Sequence, residues 1–275
     1  EAYTVANVGY RCYSALRNVF LPAFGVLFVL LALYLWHMVR AFEKGKKCAG
    51  THFVATLCRY QFLIEQLVSR DFKTKYKRSV LGVFWSFLNP LLMMIVQYAV
   101  FSRIMRFTVE NYVAYLLIGI VLFSGFSDCT TQSMRAIVSN ASLITKVYVP
   151  KYIYPVTKVL SASINILLSM IPLLLVSMAT GLLPCPAWVM LPFGLITMVG
   201  FIIGMGFILS SLMVFFRDIE FLWGVLTTVW MYATPIIYPI SILPEFMQKL
   251  MVFNPMYHYI IFFRTIILER QSPEP

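Results

Sequence analysis

Residues 159–216 read VLSASINILLSMIPLLLVSMATGLLPCPAWVMLPFGLITMVGFIIGMGFILSSLMVFF, a stretch of 58 residues that includes no Asp, Glu, Lys or Arg. A helix that crosses a bilayer needs about 20 apolar residues, so this stretch is long enough for two. Gly181, Pro184 and Pro186 interrupt it, and such residues favour a turn. The stretch therefore predicts transmembrane helices at 156–180 and 187–216, joined by a tight turn.

The remaining sequence has the same character. Of the 275 residues 60% are apolar and only 12% are charged, and the mean hydropathy is +0.82. A soluble domain carries about 25% charged residues, and a disordered chain has far fewer apolar ones. These values exclude an ordinary cytosolic enzyme and predict an all-α integral membrane protein, a bundle of several transmembrane helices.

Further apolar stretches extend this prediction. Four of them predict transmembrane helices, at 21–39, 80–102, 112–134 and 221–240. Residues 250–263 are too short to span the membrane, and Pro244 and Asn254–Pro255 predict two partly inserted short helices there. The chain therefore has four parts: an N-terminal extension (1–59), an interfacial helix (60–79), a transmembrane core (80–240) and a C-terminal part with short helices (241–275).

The positions of the cations predict the orientation. Residues 40–78, 135–158 and Arg217 hold fifteen Lys and Arg, whereas the loops on the other side hold seven. Lys and Arg accumulate in cytoplasmic loops, so we place the first group in the cytoplasm and the Gly181 turn outside, with the residues after Tyr238. The cations that give the chain its net charge of +11 lie between apolar runs, which indicates contact with anionic lipids and not with nucleic acid.

The segment before the 80–102 span is amphipathic. Its apolar residues follow the spacing of one helix face: Tyr60, Leu63, Ile64, Leu67 and Val68. A cluster of cations comes next: Arg70, Lys73, Lys75, Lys77 and Arg78. This pattern predicts a helix in the cytoplasmic head-group plane, with a solvated linker as the alternative.

The sequence shows no motif for chemistry of its own. It contains no GxxxxGK[ST] loop for nucleotide phosphates, no HExxH, and no Cys pair at metal-ligand spacing. Its five cysteines are predicted to be small buried hydrophobic residues. Asp128 lies near one end of a span, which favours a residue at the cytoplasmic interface, paired with water or Arg135. We expect neither a metal nor a cofactor on this chain.

Residues 70–85, RDFKTKYKRSVLGVFW, followed by LNPL at 88–91, resemble the opening signature of one transporter family. It comprises the permease subunits of type-2 ABC exporters that move polysaccharides: O-antigen, capsule and teichoic acid. Later stretches also resemble this family: KVYVPK at 146–151 with Pro155, FFRDI at 215–219, TPIIYP at 234–239, and Asn254–Pro255 with Tyr259 and Arg264. The resemblance runs from Tyr60 to Leu268.

The resemblance implies the permease half of an exporter of lipid-linked polysaccharide in the bacterial plasma (inner) membrane. Two copies of the chain would join two separate ATPase subunits that bind ATP and Mg²⁺, so the chain alone would not be an enzyme. The cytoplasmic loop 142–154 would contact the ATPase through a short helix between Pro150 and Pro155. The coupling residues implied are Lys146, Val147, Tyr148, Val149, Pro150, Lys151 and Tyr152.

The resemblance also places the 80–102 and 221–240 spans around the pore, where aromatic rings would stack on sugars. The candidates are Trp85, Phe87, Tyr98, Trp223, Trp230, Tyr232 and Tyr238. For each ring, a place in an aromatic belt or on the lipid-facing surface is the alternative. The cation cluster that begins at Arg70 would guide the substrate's pyrophosphate at the cytoplasmic entrance, or bind phospholipids.

For the part after Pro239, the resemblance implies an outer gate formed by Asn254, Pro255, Tyr259 and Arg264. Within it, Arg264 would face a carboxylate or water. The chain departs from the family in two respects. It has an extra predicted span at 21–39, and we expect the last family span to be missing.

Three other functions remain open. One is a type-2 ABC permease for a small molecule or drug, which the opening signature disfavours. Another is a membrane glycosyltransferase or acyltransferase, which would need clustered carboxylates or histidines. The third is a membrane anchor without transport, and the loop at 146–155 counts against it.

Overall fold

The computed structural model describes residues 49–77, 79–104 and 111–270, and every regular element among them is a helix. We number the α-helices along these residues: α1 (Ala49–Arg59), α2 (Gln61–Tyr76), α3 (Trp85–Ile104), α4 (Tyr112–Met134), α5 (Ala136–Ser139), α6 (Ala141–Ile144), α7 (Ile153–Ala179), α8 (Leu191–Phe215), α9 (Ile219–Ala233), α10 (Glu245–Leu250) and α11 (Pro255–Arg264). Short 3₁₀ helices lie at Gly82–Phe84, Pro186–Met190, Ile240–Ile242 and Met251–Phe253, and a π-helical turn at Thr265–Glu269. The predicted all-α fold is confirmed.

Several of these helices are long and apolar enough to cross a membrane. The segments are Gly82–Phe101, Tyr112–Met134, Ile153–Ala179 and Pro186–Phe215, and a bent pair nearer the C-terminus adds another if it forms one span. They agree within a few residues with the spans predicted at 80–102, 112–134, 156–180 and 187–216. The span predicted at 21–39 lies outside the described residues.

Helix α4 lies at the centre of the bundle. In its most apolar stretch 67% of the residues are buried, against 11% in α3. Helices α7 and α8 pack along α4, and α3, α9 and α11 also contact it. At Gly125 of α4, a Cβ atom would lie 2.7 Å from the Ile166 side chain of α7, so the close approach of these two helices requires glycine.

A tight turn joins α7 to the 3₁₀ helix before α8, as predicted. Its Gly181 has a φ angle of 89°, which residues with a side chain rarely adopt. The Leu182 amide donates to the Ser177 carbonyl at 3.0 Å, so the turn also satisfies an acceptor at the end of α7. The two long apolar helices therefore run antiparallel.

Helix α9 is shorter than the predicted span at 221–240. It covers 15 residues, Ile219–Ala233, and stops before Thr234, whose ψ angle of 133° is extended. Thr234 precedes Pro235, and a residue before proline avoids helical angles because its backbone clashes with the proline ring. Residues 234–239 are therefore an irregular segment, here called the TPIIYP segment.

The C-terminal part contains the two short helices that the sequence predicts. Glu245–Phe253 and Pro255–Glu269 form a helical pair that bends by 93°. Asn254 lies at the bend, and its side chain accepts hydrogen bonds from the amides of Met256 and Tyr257. It therefore caps α11, whose first residue is Pro255, a position where the missing amide hydrogen costs nothing.

The described residues fall into two compact units that divide after Phe62. The first includes α1, and Cys58 on this helix is exposed. In the second, Cys129 is buried and Cys185 is half-buried. The prediction that the cysteines are small buried residues therefore holds for Cys129 and is wrong for the exposed Cys58, whereas Cys12 and Cys48 lie outside the described residues.

Candidate functional site

The TPIIYP segment lies against the start of α4. Because it is not helical, its carbonyl groups need partners elsewhere, and an unpaired carbonyl is costly at membrane depth. The Tyr112 hydroxyl donates to the Ile237 carbonyl at 2.8 Å, and the Tyr115 hydroxyl donates to the Tyr238 carbonyl at 3.0 Å. Residues three apart on a helix share a face, which is how both hydroxyls reach one segment.

Arg264 binds the same segment from α11. Its side chain is buried, and its two terminal nitrogens donate to the carbonyls of Pro235 at 2.8 Å and Ile236 at 2.9 Å. The guanidinium also lies over the Tyr115 ring, with Cζ 3.4 Å from the ring centroid. The predicted carboxylate partner is therefore not what Arg264 meets, because the planar guanidinium matches two neighbouring carbonyls and a ring instead.

Asn254 connects the bend of the C-terminal helix pair to α9. The Trp230 indole nitrogen donates to Asn254 Oδ1 at 2.8 Å, and Asn254 Nδ2 donates to Thr234 Oγ1 at 2.8 Å. Of the predicted gate residues, Asn254 and Arg264 thus meet at the TPIIYP segment, whereas Tyr259 packs on Phe201, with ring centroids 6.1 Å apart.

At the opposite end of the bundle, α2 is attached to α7 by polar contacts. Lys158 Nζ lies 2.8 Å from Asp71 Oδ2, and the two side chains are only 19% and 14% exposed. The Tyr76 hydroxyl donates to Asn165 Oδ1 at 2.5 Å. Leu67 of α2 is buried, so the apolar face of the predicted amphipathic helix packs on protein as well.

Four of the five predicted entrance cations lie on or just after α2. Arg70, Lys73, Lys75 and Lys77 are all exposed, and Arg78 lies outside the described residues. Arg70 donates to the Asn140 side chain at 3.2 Å, which links α2 to the junction of α5 and α6.

Asp128 and Arg135 do not pair with each other, so of the two predicted partners of Asp128 only water stays open, and its side chain is about half exposed. Lys75 Nζ lies 3.4 Å from Asp128 Oδ2, and the Arg135 guanidinium forms an ion pair with Glu220. The reason is the packing of neighbouring helices, which brings α2 beside Asp128 and the start of α9 beside Arg135.

The predicted coupling loop has a different form from the one expected. Residues 151 and 152 form a turn, and Ile153 already begins α7, so Pro155 lies in the first turn of a long helix, where proline is tolerated. The short helix predicted between Pro150 and Pro155 is therefore wrong. Short helices lie earlier instead, with α5 before the loop and α6 at its beginning.

The side chains of the loop divide into an exposed and a buried group. Tyr148 is 96% exposed, and Lys146, Val147 and Lys151 are exposed as well. Val149 is only 6% exposed and anchors the loop to the bundle. Pro150 and Tyr152 are half-buried and line a cavity of about 570 Å³ between the loop and the end of α8.

The predicted pore aromatics do not form one surface. Trp85, Tyr98 and Tyr232 are exposed, whereas Phe87, Trp230 and Tyr238 are half-buried. Trp223 is buried in the core of this chain, where its ring contacts Phe126 with centroids 6.4 Å apart. Trp223 is therefore not on an open surface, because α9 turns this residue toward α4.

Several residues at these sites were not singled out from the sequence: Tyr112, Tyr115, Asp71, Lys158, Asn165 and Glu220. The two tyrosines are three residues apart at the start of an apolar span, and such a pair of polar groups is a signal that the sequence does contain. The ion pair of Asp71 with Lys158 joins residues far apart in sequence and leaves no local signal.

Comparison with known proteins agrees with this architecture. Residues 62–268 match the family model described as ABC-2 type transporter. The O-antigen export system permease protein RfbA of Myxococcus xanthus is 32% identical over 223 residues, which cover 80% of this chain and 86% of the relative. RfbA of Klebsiella pneumoniae is 30% identical over 207 residues, 75% of this chain and 80% of the relative.

A further relative is the capsule polysaccharide export inner-membrane protein CtrC of Neisseria meningitidis serogroup B. It is 28% identical over 225 residues, 78% of this chain and 82% of the relative. All of these matches extend over most of the chain, and the family match includes nearly all of α2, residues 142–154 and the TPIIYP segment. The chain therefore belongs to the family of ABC-2 type transporters.

Proposed function

We propose that this chain is the permease subunit of an ATP-driven exporter that moves lipid-linked polysaccharide across the bacterial inner membrane, from the cytoplasmic to the outer side. The polysaccharide is of the O-antigen, capsule or teichoic-acid type. The observation that carries this proposal is the similarity to permeases named for O-antigen and capsule export over three quarters or more of the chain. We expect a homodimer of permease chains.

ATP hydrolysis is assigned to a separate subunit. The chain has no phosphate-binding loop, so the ATP and Mg²⁺ sites belong on that partner. The exposed residues of the cytoplasmic loop, above all Tyr148 and Lys151, are the proposed contact surface. An exposed aromatic ring beside a cation is typical of a protein interface.

The contacts at the cytoplasmic end suggest how movement passes into the membrane. The loop leads directly into α7, and Lys158 near the start of α7 holds Asp71 of the interfacial helix. A displacement of the loop by the ATPase would therefore move α7 and α2 together, as one rigid body. Opening at the outer end would involve the TPIIYP segment, whose carbonyls are bound by side chains from α4 and α11.

A genetic experiment tests this function. We expect deletion of the gene to remove the surface polysaccharide and to leave lipid-linked polysaccharide in the cytoplasmic leaflet, and the intact gene to restore export. Surface polysaccharide that persists after deletion would contradict the proposal. The purified chain should hydrolyse ATP only together with its ATPase subunit. Hydrolysis by the chain alone would contradict the assignment of ATP hydrolysis to a separate subunit.

A further inference from the structure

The accessible surface of α4 is polar in the half that leads to the cytoplasm. Between residues 124 and 132, Phe126, Cys129 and Thr130 are buried, and every residue that is exposed or half-buried is polar or glycine. The polar ones recur three or four residues apart, so they share one face of the helix. We call them the polar stripe of α4: Ser124, Ser127, Asp128, Thr131 and Gln132.

The two helices that pack along α4 present a different outer surface. The exposed residues of α7 are all apolar: Leu160, Leu167, Ile171, Leu175, Met178 and Ala179. On α8, which the structure describes in full, Ser211 is the one exposed polar residue. A helix that crosses a bilayer presents such apolar faces to the lipid tails. The polar stripe of α4 departs from this pattern.

The charged part of the polar stripe decides what it faces. Ser124 donates to the Val121 carbonyl at 3.4 Å, as a lipid-facing serine also does, so the serine alone decides nothing. Asp128 accepts from Gln132 Nε2 at 3.1 Å and lies 3.4 Å from Lys75 Nζ. The Lys75 and Asp128 side chains are nevertheless 43% and 51% exposed. Ionisable groups are costly against hydrocarbon, so this accessible pair indicates water.

The end of α2 carries further charges to the same part of the bundle. The Tyr76 hydroxyl donates to Asn165 Oδ1 at 2.5 Å, and Asn165 lies twelve residues after Ile153, the first residue of α7. At 1.5 Å per residue, this is about 18 Å along the axis of α7. Lys75 and Lys77 flank Tyr76 and are exposed. Their ammonium groups therefore need water at this depth.

The accessible face of this half of α4 ends at Ser124. On the same face, one to two turns nearer the outer end, lie Leu117, Ile120 and Val121. They are only 0%, 8% and 1% exposed, because neighbouring parts of the bundle cover them. Ser124 is near the middle of α4, which spans Tyr112–Met134. The polar stripe therefore extends from the cytoplasmic end of this helix to about its midpoint.

We propose that the polar stripe of α4 and the charged end of α2 line a water-filled cleft, which opens to the cytoplasm and ends at Ser124. Water in the cleft solvates the half-exposed ion pair, while the apolar faces of α7 and α8 lie in lipid. The use of this cleft as the cytoplasmic end of the transport path rests on the proposed function, whereas the presence of water does not. The cleft adds α4 to the pore walls expected at 80–102 and 221–240.

The first test measures whether water reaches the polar stripe. In a chain that keeps only the buried Cys129 of its native cysteines, Ser124→Cys and Ser127→Cys each add one thiol, and the chain without an added thiol gives the background. With the ATPase subunit bound, in inside-out membrane vesicles, both thiols should react with a charged, membrane-impermeant methanethiosulfonate. Such a reagent attacks the thiolate, which forms in water and not in hydrocarbon.

Gly204→Cys is the matched control for this reaction. Gly204 is exposed near the middle of α8, and a Cβ atom there meets nothing within 4 Å, so a thiol fits without repacking. Because this face lies in lipid, its thiol should react at least about tenfold more slowly than those of Ser124→Cys and Ser127→Cys.

The second test measures the direction and the use of the cleft. In vesicles of the opposite orientation, the same reagent should modify Ser124→Cys far more slowly, because buried residues cover this face toward the outer end. In inside-out vesicles, modified Ser124→Cys should lose ATP-driven transport of polysaccharide into the lumen. The same treatment should leave transport by Gly204→Cys unchanged.

Several results would overturn the inference. Reaction of Ser124→Cys and Ser127→Cys as slow as that of Gly204→Cys would place the polar stripe against lipid. Slow reaction together with an oxidant-induced disulfide between two Ser124→Cys chains would make this face an interface between copies. Faster reaction from the outer side would contradict the direction of opening, and fast reaction of Ser127→Cys alone would contradict the depth. Normal transport after modification of Ser124→Cys would remove the cleft from the transport path.

The outcomes also separate this inference from the proposed function. If the thiols react as expected and the intact gene does not restore surface polysaccharide, the water-filled cleft stands and the proposed function is wrong. If the intact gene restores export and Ser124→Cys reacts no faster than Gly204→Cys, only the inference is wrong.

Discussion

The guanidinium of Arg264 lies directly over the ring of Tyr115, with Cζ 3.4 Å from the centroid. These two side chains come from α11 and from the first turn of α4, and together they bind the carbonyls of Pro235, Ile236 and Tyr238. Arg264 and Tyr115 thus bind the irregular TPIIYP segment together, and Tyr112 and Asn254 add further hydrogen bonds to it. Substitution of either residue should therefore affect the stability of the end of the bundle that holds this segment.

Arg264→Gln should destabilise the protein. The shorter neutral side chain cannot reach both carbonyls, and each buried group left without a partner costs about 1–3 kcal/mol. We expect the free energy of unfolding in detergent to fall by about 3 kcal/mol. Arg217→Gln, which removes an exposed cation, is the matched control and should change it little. Equal stability of the two variants would show that the Arg264 contacts contribute nothing.

Tyr115→Phe should have a smaller effect than Tyr115→Leu. Phenylalanine keeps the ring under Arg264 and loses only the contacts of the hydroxyl, a hydrogen bond to the Tyr238 carbonyl at 3.0 Å and a longer one to the Pro235 carbonyl at 3.4 Å, which together are worth about 1 kcal/mol. Leucine also loses the cation–π contact, which is worth about 2 kcal/mol when desolvated. Thermal unfolding of both variants in detergent, with the exposed Tyr232→Phe as control, measures the difference. If Tyr115→Leu were as stable as Tyr115→Phe, or more stable, the ring would have no role.

The ion pair of Asp71 with Lys158 should couple α2 to α7 energetically. Its side chains are 14% and 19% exposed, so a double-mutant cycle with Asp71→Asn and Lys158→Gln should give an interaction energy of about 1–3 kcal/mol. The pair of Lys75 with Asp128 is about half exposed and should give at most about 1 kcal/mol. The free energy of unfolding of each variant in both cycles gives the two interaction energies. Equal interaction energies for the two pairs would contradict the role of burial.

Replacement of Tyr148 and Lys151 together by Ala should impair function without loss of stability. Exposed truncations cost about 0.5 kcal/mol or less, whereas an interface aromatic often contributes about 2 kcal/mol to binding. We expect normal protein levels with weaker ATPase binding or ATP hydrolysis uncoupled from export, measured by co-purification and surface polysaccharide. Val149→Ala removes a buried anchor and should lower stability instead. Normal export and full ATPase binding by the double variant would make the loop a plain connector.

The sequence by itself determined the class of the protein and the positions of its long spans. The charge-free run at 159–216 requires two membrane helices, because the thickness of the bilayer fixes the number of apolar residues in each spanning helix, and this number can be counted in the sequence. The turn at Gly181 and the capped start of α11 at Asn254–Pro255 are local as well, since they depend on the conformations of a few neighbouring residues.

Only the tertiary structure decided which polar groups meet. Arg264 donates to the carbonyl of Tyr115, 149 residues earlier in the chain. Lys158 on α7 likewise pairs with Asp71 on α2. Because α9 ends at Ala233, the carbonyls of Pro235 and Ile236 have no helical partners, and Arg264 binds them. The packing of α4 against α9 likewise forms a cavity beside Gly224. Helical periodicity indicates which face of one helix is apolar, but it carries no information on which other helix packs there, so these partners follow from packing alone.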